Sequence, residues 1–142
     1  GEGYTVNVPL YPGKTDEDYL YIYRRILSPV ASSYKPEFIL VSAGFDIYQG
    51  DPLGGMQISE QGFGALAAEL HSLALDYSGG RILFALEGGY DLEGLRQGIK
   101  QVLLQLASAA QRPEIKEKVS SSTERELEPV FRTQKKYWPI AP

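Results

Sequence analysis

Apolar residues in this chain fall into two short unbroken runs set among longer stretches with helical spacing. The first run, Phe38-Ile39-Leu40-Val41, continues into Ser42-Ala43-Gly44 and predicts a strand buried on both faces of a parallel sheet. The second, Ile82-Leu83-Phe84-Ala85-Leu86, stops at Glu87-Gly88-Gly89-Tyr90 and predicts another. Between them Ser59 stands ahead of Phe63, Leu66, Ala67, Leu70, Leu73, Ala74 and Tyr77, a capped amphipathic helix that Gly79-Gly80 ends. After the second run Asp91 caps a helix carrying Leu92, Leu95, Ile99, Val102, Leu103 and Leu106. Ahead of both, Val6 and Val8 alternate with polar residues as a short strand closed by Pro9. Thr15 then opens a helix whose first turn is Asp16-Glu17-Asp18 and whose apolar stripe runs from Tyr19 to Val30. Pro29 is expected to kink or end that helix near Ser28, with a short further turn to Tyr34. Strand and helix thus alternate three times, which predicts an α/β fold with a parallel sheet and helices on both faces.

The tail differs. Residues 113–125 are mostly charged and polar and read as a solvated helix or linker, and residues 129–138 as a short amphipathic helix started by Pro129. The one tryptophan, Trp138, is expected to pin the terminus to the domain.

Composition narrows the function. With 142 residues the chain has the size of one ordinary domain. Its net charge of −4 argues against electrostatic binding to nucleic acid, which needs clustered Lys and Arg. The lack of cysteine excludes disulfides and thiolate metal sites and fits a reducing compartment such as the cytoplasm. No apolar run is long enough to cross a bilayer. The expected setting is a soluble domain of the cytoplasm, or of the nucleus in a eukaryote, with no membrane partner. The only histidine is His71, so chemistry that needs several imidazoles cannot be completed within the chain.

Candidate chemistry lies where the two runs stop. The first stops at Gly44-Phe45-Asp46 and the second at Gly88-Gly89-Tyr90. Parallel neighbours end on the same side of a sheet, where α/β proteins place ligands, so Asp46 and Tyr90 are expected to face one cleft. A carboxylate and a phenol together suit a metal-assisted reaction at a carbonyl: the carboxylate ligates the metal and the phenol donates to the developing oxyanion. Taken alone, Asp46 reads equally well as a turn residue. Asp51, before Pro52, is expected to fix a turn, and Asp91 to serve first as a helix cap.

The series Val6-Asn7-Val8-Pro9-Leu10, Ser42-Ala43-Gly44-Phe45-Asp46, Gly50-Asp51-Pro52-Leu53-Gly54 and Leu86-Glu87-Gly88-Gly89-Tyr90-Asp91-Leu92 closely resembles the histone deacetylase family, which includes acetoin-utilisation proteins and acetylpolyamine amidohydrolases. The resemblance covers residues 1–106 and extends more loosely to Lys136-Tyr137-Trp138. It implies a three-layer, arginase-like α/β fold with zinc at the strand ends. Asp46 is then a zinc ligand and Tyr90 the residue that stabilises the tetrahedral intermediate. Gly44, Phe45, Gly88 and Gly89 line the substrate pocket, with Asp51, Pro52 and Leu53 at its rim. The two remaining zinc ligands of the family come from an Asp-x-His segment and its general base from a histidine pair, all upstream of the matched region.

The chain therefore reads as the C-terminal part of a deacetylase catalytic domain (residues 1–112) with an extension and closing helix (113–142). Its parent hydrolyses the acyl amide of a lysine or a polyamine, and this piece alone is inactive. Its expected partners are that substrate, the N-terminal part of the domain, and further copies of itself, since a cut sheet exposes an apolar edge. The alternative is a non-catalytic binding or assembly module on the same fold. A phosphate cradle at residues 88–94 is a poor third reading, since the Gly-x-Gly-x-x-Gly spacing is absent.

Overall fold

A computed structural model describes residues 1–109, 111–112, 114 and 119–141. Its elements are α1 (Asp16–Ile22), a π-helical turn (Tyr23–Leu27), α2 (Ser28–Tyr34), β1 (Ile39–Ala43), α3 (Glu60–Ser78), β2 (Ile82–Leu86), α4 (Leu92–Ala107) and α5 (Ser121–Gln134). The two strands pair in parallel, Ile39 opposite Ile82 through Ala43 opposite Leu86.

The helix starts follow the expected capping chemistry. Ser59 Oγ accepts the Gly62 N–H at the head of α3, and Asp91 Oδ1 accepts that of Gly94 at the head of α4. Asp18 reaches back to the Thr15 N–H at 2.9 Å. Asp16, on the first turn of α1, accepts both the N–H and the hydroxyl of Ser59, at 2.8 and 2.6 Å. The first helix is thereby tied to the third.

Three local expectations are corrected. Val6 and Val8 belong to no strand; with Leu10 they pack on the cluster of Tyr21, Ile22, Ile26, Leu127, Val130 and Phe131, so their alternation serves side-chain packing rather than a ladder. Pro29 does not end the helix, because the π-helical turn just before it shifts the bonding register and the Ser28 N–H donates to Tyr23 O. The C-terminal helix begins at Ser121, not at Pro129, which lies inside it. Ser120 caps it by accepting the Thr123 N–H, and the burial of Leu127, Val130 and Phe131 offsets the helical bond that Pro129 cannot make. Of the expected linker, Pro113 and residues 115–118 lie outside the described residues. Trp138 Nε1 donates to Gly3 O at 2.7 Å, joining the two ends of the chain.

The core has two parts. One gathers α1, α2 and α5 around Ile26 and Leu127. The other lies between the sheet and the α3–α4 pair, where Phe45, Ile58, Phe63, Ala67 and Val102 meet Ala43, Phe84, Leu95 and Ile99. Glu69, fully buried on α3, accepts from Arg24 Nε at 2.9 Å and from Ser28 Oγ at 3.1 Å, which joins the two parts through a paired charge.

β1 is not buried on both faces. Its burial alternates, and the face formed by Leu40, Ser42, Leu83 and Ala85 is open, with Leu40 75% exposed. Among the described residues, helices cover only the opposite face. An apolar strand run reads the same whether or not its second face is covered, and among the described residues it is not.

Candidate active site at the strand ends

The parallel ladder continues past both strands. Glu87 N–H donates to Ala43 O, and Phe45 N–H donates to Gly88 O at 2.9 Å. These two bonds bring the stop of β1 against the stop of β2 and set Asp46 beside the glycine loop. A Cβ on Gly88 would lie 2.8 Å from Asp46 Oδ2, and one on Gly44 would lie 2.9 Å from Asp46 Oδ1. The carboxylate therefore occupies a slot that only side-chain-free residues leave open. Among the described residues no hydrogen-bond donor pairs with either oxygen.

Tyr90 follows two residues after Gly88, at the same end of the sheet, with its side chain 60% exposed. Its backbone is held firmly. Asp51 Oδ2 accepts the N–H of Tyr90 at 2.7 Å and of Asp91 at 3.3 Å, while Asp51 Oδ1 accepts those of Leu53 and Gly54 at 2.8 and 3.1 Å. Desolvation pushes the Asp51 carboxyl up, but these four N–H groups outweigh it and hold the group below its ordinary range.

The remaining expected residues divide. Pro52 and Leu53 are exposed beside the loop, and Gly89, at φ 134°, makes the turn toward Tyr90. Phe45, expected in the pocket wall, is instead a core residue, 5% exposed, with its ring 4.8 Å from that of Phe63. Its neighbour Asp46 faces the glycines, so Phe45 turns the other way. Asp51 does fix a turn, as expected, and also reaches across to the second loop.

Of two tyrosines that the sequence did not single out, one feels the Asp46 charge and the other packs on the start of α4. Tyr19, read only as part of a helical stripe, has its phenol pushed up by burial and, to a lesser extent, by the Asp46 charge. Tyr48 Oη donates to Glu60 Oε1 at 3.0 Å, and its ring fills the space over Gly94. Neither carries a sequence signal of its own, because the contacts join residues from different elements.

The donor set is a single carboxylate. Among the described residues no group of three or more His, Asp or Glu is positioned to hold a metal ion. Catalytic zinc ordinarily takes three protein ligands, so Asp46 fits as one ligand of such a centre and not as the whole of it.

The fold and the site together define the class only as an α/β domain with a carboxylate and a phenol at neighbouring parallel strand ends. The comparisons identify the family. The histone deacetylase domain matches residues 1–106, and the chain belongs to that family. It is 40% identical over 94 residues to a probable deacetylase of Archaeoglobus fulgidus, spanning 66% of this chain and 26% of that protein. It is 36% identical over 148 residues to histone deacetylase 7 of Homo sapiens, spanning 97% of this chain and 15% of that protein. The crystal structure of the HDA15 HD domain superposes with a TM-score of 0.85 at 34% identity, covering 98% of this chain and 38% of that one. The structure of the histone deacetylase Clr3 gives 0.85 at 26% identity, covering 99% and 23%. This chain thus spans well under half the length of these relatives.

Proposed function

We propose that this chain is the C-terminal part of a zinc-dependent deacetylase domain that hydrolyses an acyl amide of lysine or of a polyamine. The observation that carries this reading is the slot between Gly44 and Gly88, which leaves the Asp46 carboxylate open beside the Tyr90 loop. Asp46 would hold one coordination position of the metal, whose bound form would supply polarisation of the acyl carbonyl and a lowered pKa of water. Tyr90 donates its phenol O–H to the carbonyl oxygen as negative charge develops there. The missing glycine side chains leave space beside Asp46 for a narrow substrate. The other ligands and the general base come from the N-terminal part of the domain, so this chain by itself is inactive.

The test uses the assembled domain, this chain joined to its N-terminal part. Tyr90→Phe lowers kcat about 10²- to 10³-fold, the usual loss for one oxyanion donor, while zinc content stays at one per domain. Asp46→Asn reduces the zinc content. Hydrolysis by this chain alone would overturn its inactivity, and full activity of Tyr90→Phe would overturn the role assigned to that phenol.

The bare sheet face around Leu40 and Leu83 is the surface we assign to contact with the rest of the domain. Separated from it, the chain self-associates through that face, and Leu40→Lys makes it more nearly monomeric. Sedimentation at increasing concentration measures this; a monodisperse wild-type monomer contradicts it.

A further inference from the structure

Asp51 does more than shape its own turn. Its carboxylate spans two loops 39 residues apart in sequence, with one oxygen on the residue 51–54 turn and the other on the backbone of Tyr90 and Asp91. The turn is itself seated on Asp46, since the Gly54 Cα lies so close to Asp46 O that a Cβ there would be 1.5 Å from it. One side chain therefore connects the backbone of the candidate metal ligand with that of the candidate oxyanion donor. Tyr90 needs such a hold. Its side chain is exposed, and the preceding Gly88-Gly89 resists bending little.

We propose that Asp51 is a positioning residue for Tyr90, setting the phenol against the Asp46 site by clamping the glycine loop to the turn that supports Asp46. The inference rests on the functional reading above and assigns Asp51 a role different from lining the substrate pocket. Only a carboxylate serves both loops. All four partners are N–H donors, so an asparagine offers its single oxygen to one loop and turns an NH₂ toward the N–H groups of the other. A serine can still cap the turn through Leu53 and Gly54, but it is too short to reach Tyr90 as well.

Two measurements test the clamp. In this chain, Asp51→Ser and Asp51→Asn speed amide exchange at Tyr90 and Asp91 on the order of tenfold or more, while amides of α3 such as Leu70 and Leu73 keep their wild-type rates. Unchanged exchange at Tyr90 and Asp91 overturns the clamp, whatever the activity. In the assembled domain, Asp51→Ser lowers kcat on the order of tenfold or more, with KM little changed. It adds no further loss when placed on Tyr90→Phe, because the positioned phenol is already gone. Losses that multiply in the double variant, or a rise in KM alone, overturn the positioning role in favour of a pocket wall. An assembled wild-type domain that hydrolyses neither an acyl-lysine peptide nor an acylpolyamine overturns the functional reading and the positioning role together, and exchange then reports the clamp by itself.

Discussion

Replacing Gly54 by alanine should disable the site more completely than losing any single polar contact. A Cβ at this position would lie 1.5 Å from Asp46 O and 2.6 Å from Asp46 C. The obstacle is main chain, so no rotamer change relieves it. Either the turn is pushed outward, which breaks the Gly54 N–H bond to Asp51, or Asp46 moves, and with it the carboxylate between Gly44 and Gly88. We expect a loss of roughly 3 kcal/mol or more in stability, the upper range for overpacking. A displacement of about 1 Å at a reacting group costs on the order of 10²-fold in rate. Zinc content, thermal midpoint and turnover of the assembled domain are the readouts. A Gly54→Ala protein with wild-type zinc content and midpoint would show that the turn and Asp46 are not in the contact described.

The second large effect lies where α5 is held to the start of the chain. Lys14, only 4% exposed, donates from Nζ to Glu126 Oε1 at 2.6 Å and to Thr123 Oγ1 at 3.1 Å. Thr123 Oγ1 in turn donates to Asp18 Oδ1 at 2.7 Å. Lys14→Met removes the cation and leaves two carboxylates facing each other across a nearly closed site. Breaking a buried ion pair from one side costs about 3 kcal/mol, which for a domain of this size lowers the midpoint by roughly 10 °C. Faster exchange confined to α5 would accompany it.

The same network sets a pH dependence. Burial pushes the Asp18 carboxyl up, but the bonds from Thr15 and Thr123 and the Lys14 charge outweigh it, and its pKa lies below the ordinary value. The Lys14 bond likewise lowers that of Glu126. A carboxyl depressed in the folded state contributes fully above its unfolded pKa, about 4, and loses that contribution as pH falls through the lower folded value. The midpoint difference between wild type and Lys14→Met should therefore be constant near neutrality and shrink below about pH 4. A difference that persists unchanged at pH 3 would assign the loss to packing rather than charge.

The placement of the two main candidate residues was legible in the chain. Asp46 and Tyr90 each follow an apolar run that breaks at glycine, and parallel pairing carries both breaks to one end of the sheet. Phe45 was misplaced because the turn that starts at it sets Asp46 at the glycines while the Phe45 ring packs into the core. The double role of Asp51 was out of reach, since its bonds to Leu53 and Gly54 are local but those to Tyr90 and Asp91 exist only once the two loops meet. Tyr19 lay hidden for the same reason.

Local chemistry by itself determined the helix caps at Thr15, Ser59 and Asp91, the two strands, and the family to which the chain belongs. Each depends on contacts within a few residues or on a fixed order of motifs. Tertiary structure alone decided that Val6 and Val8 pack without pairing, that a π-helical turn carries the helix past Pro29, and that one face of the sheet stays bare. In each of these the outcome turns on which distant surface a residue meets, and a linear pattern holds no record of that.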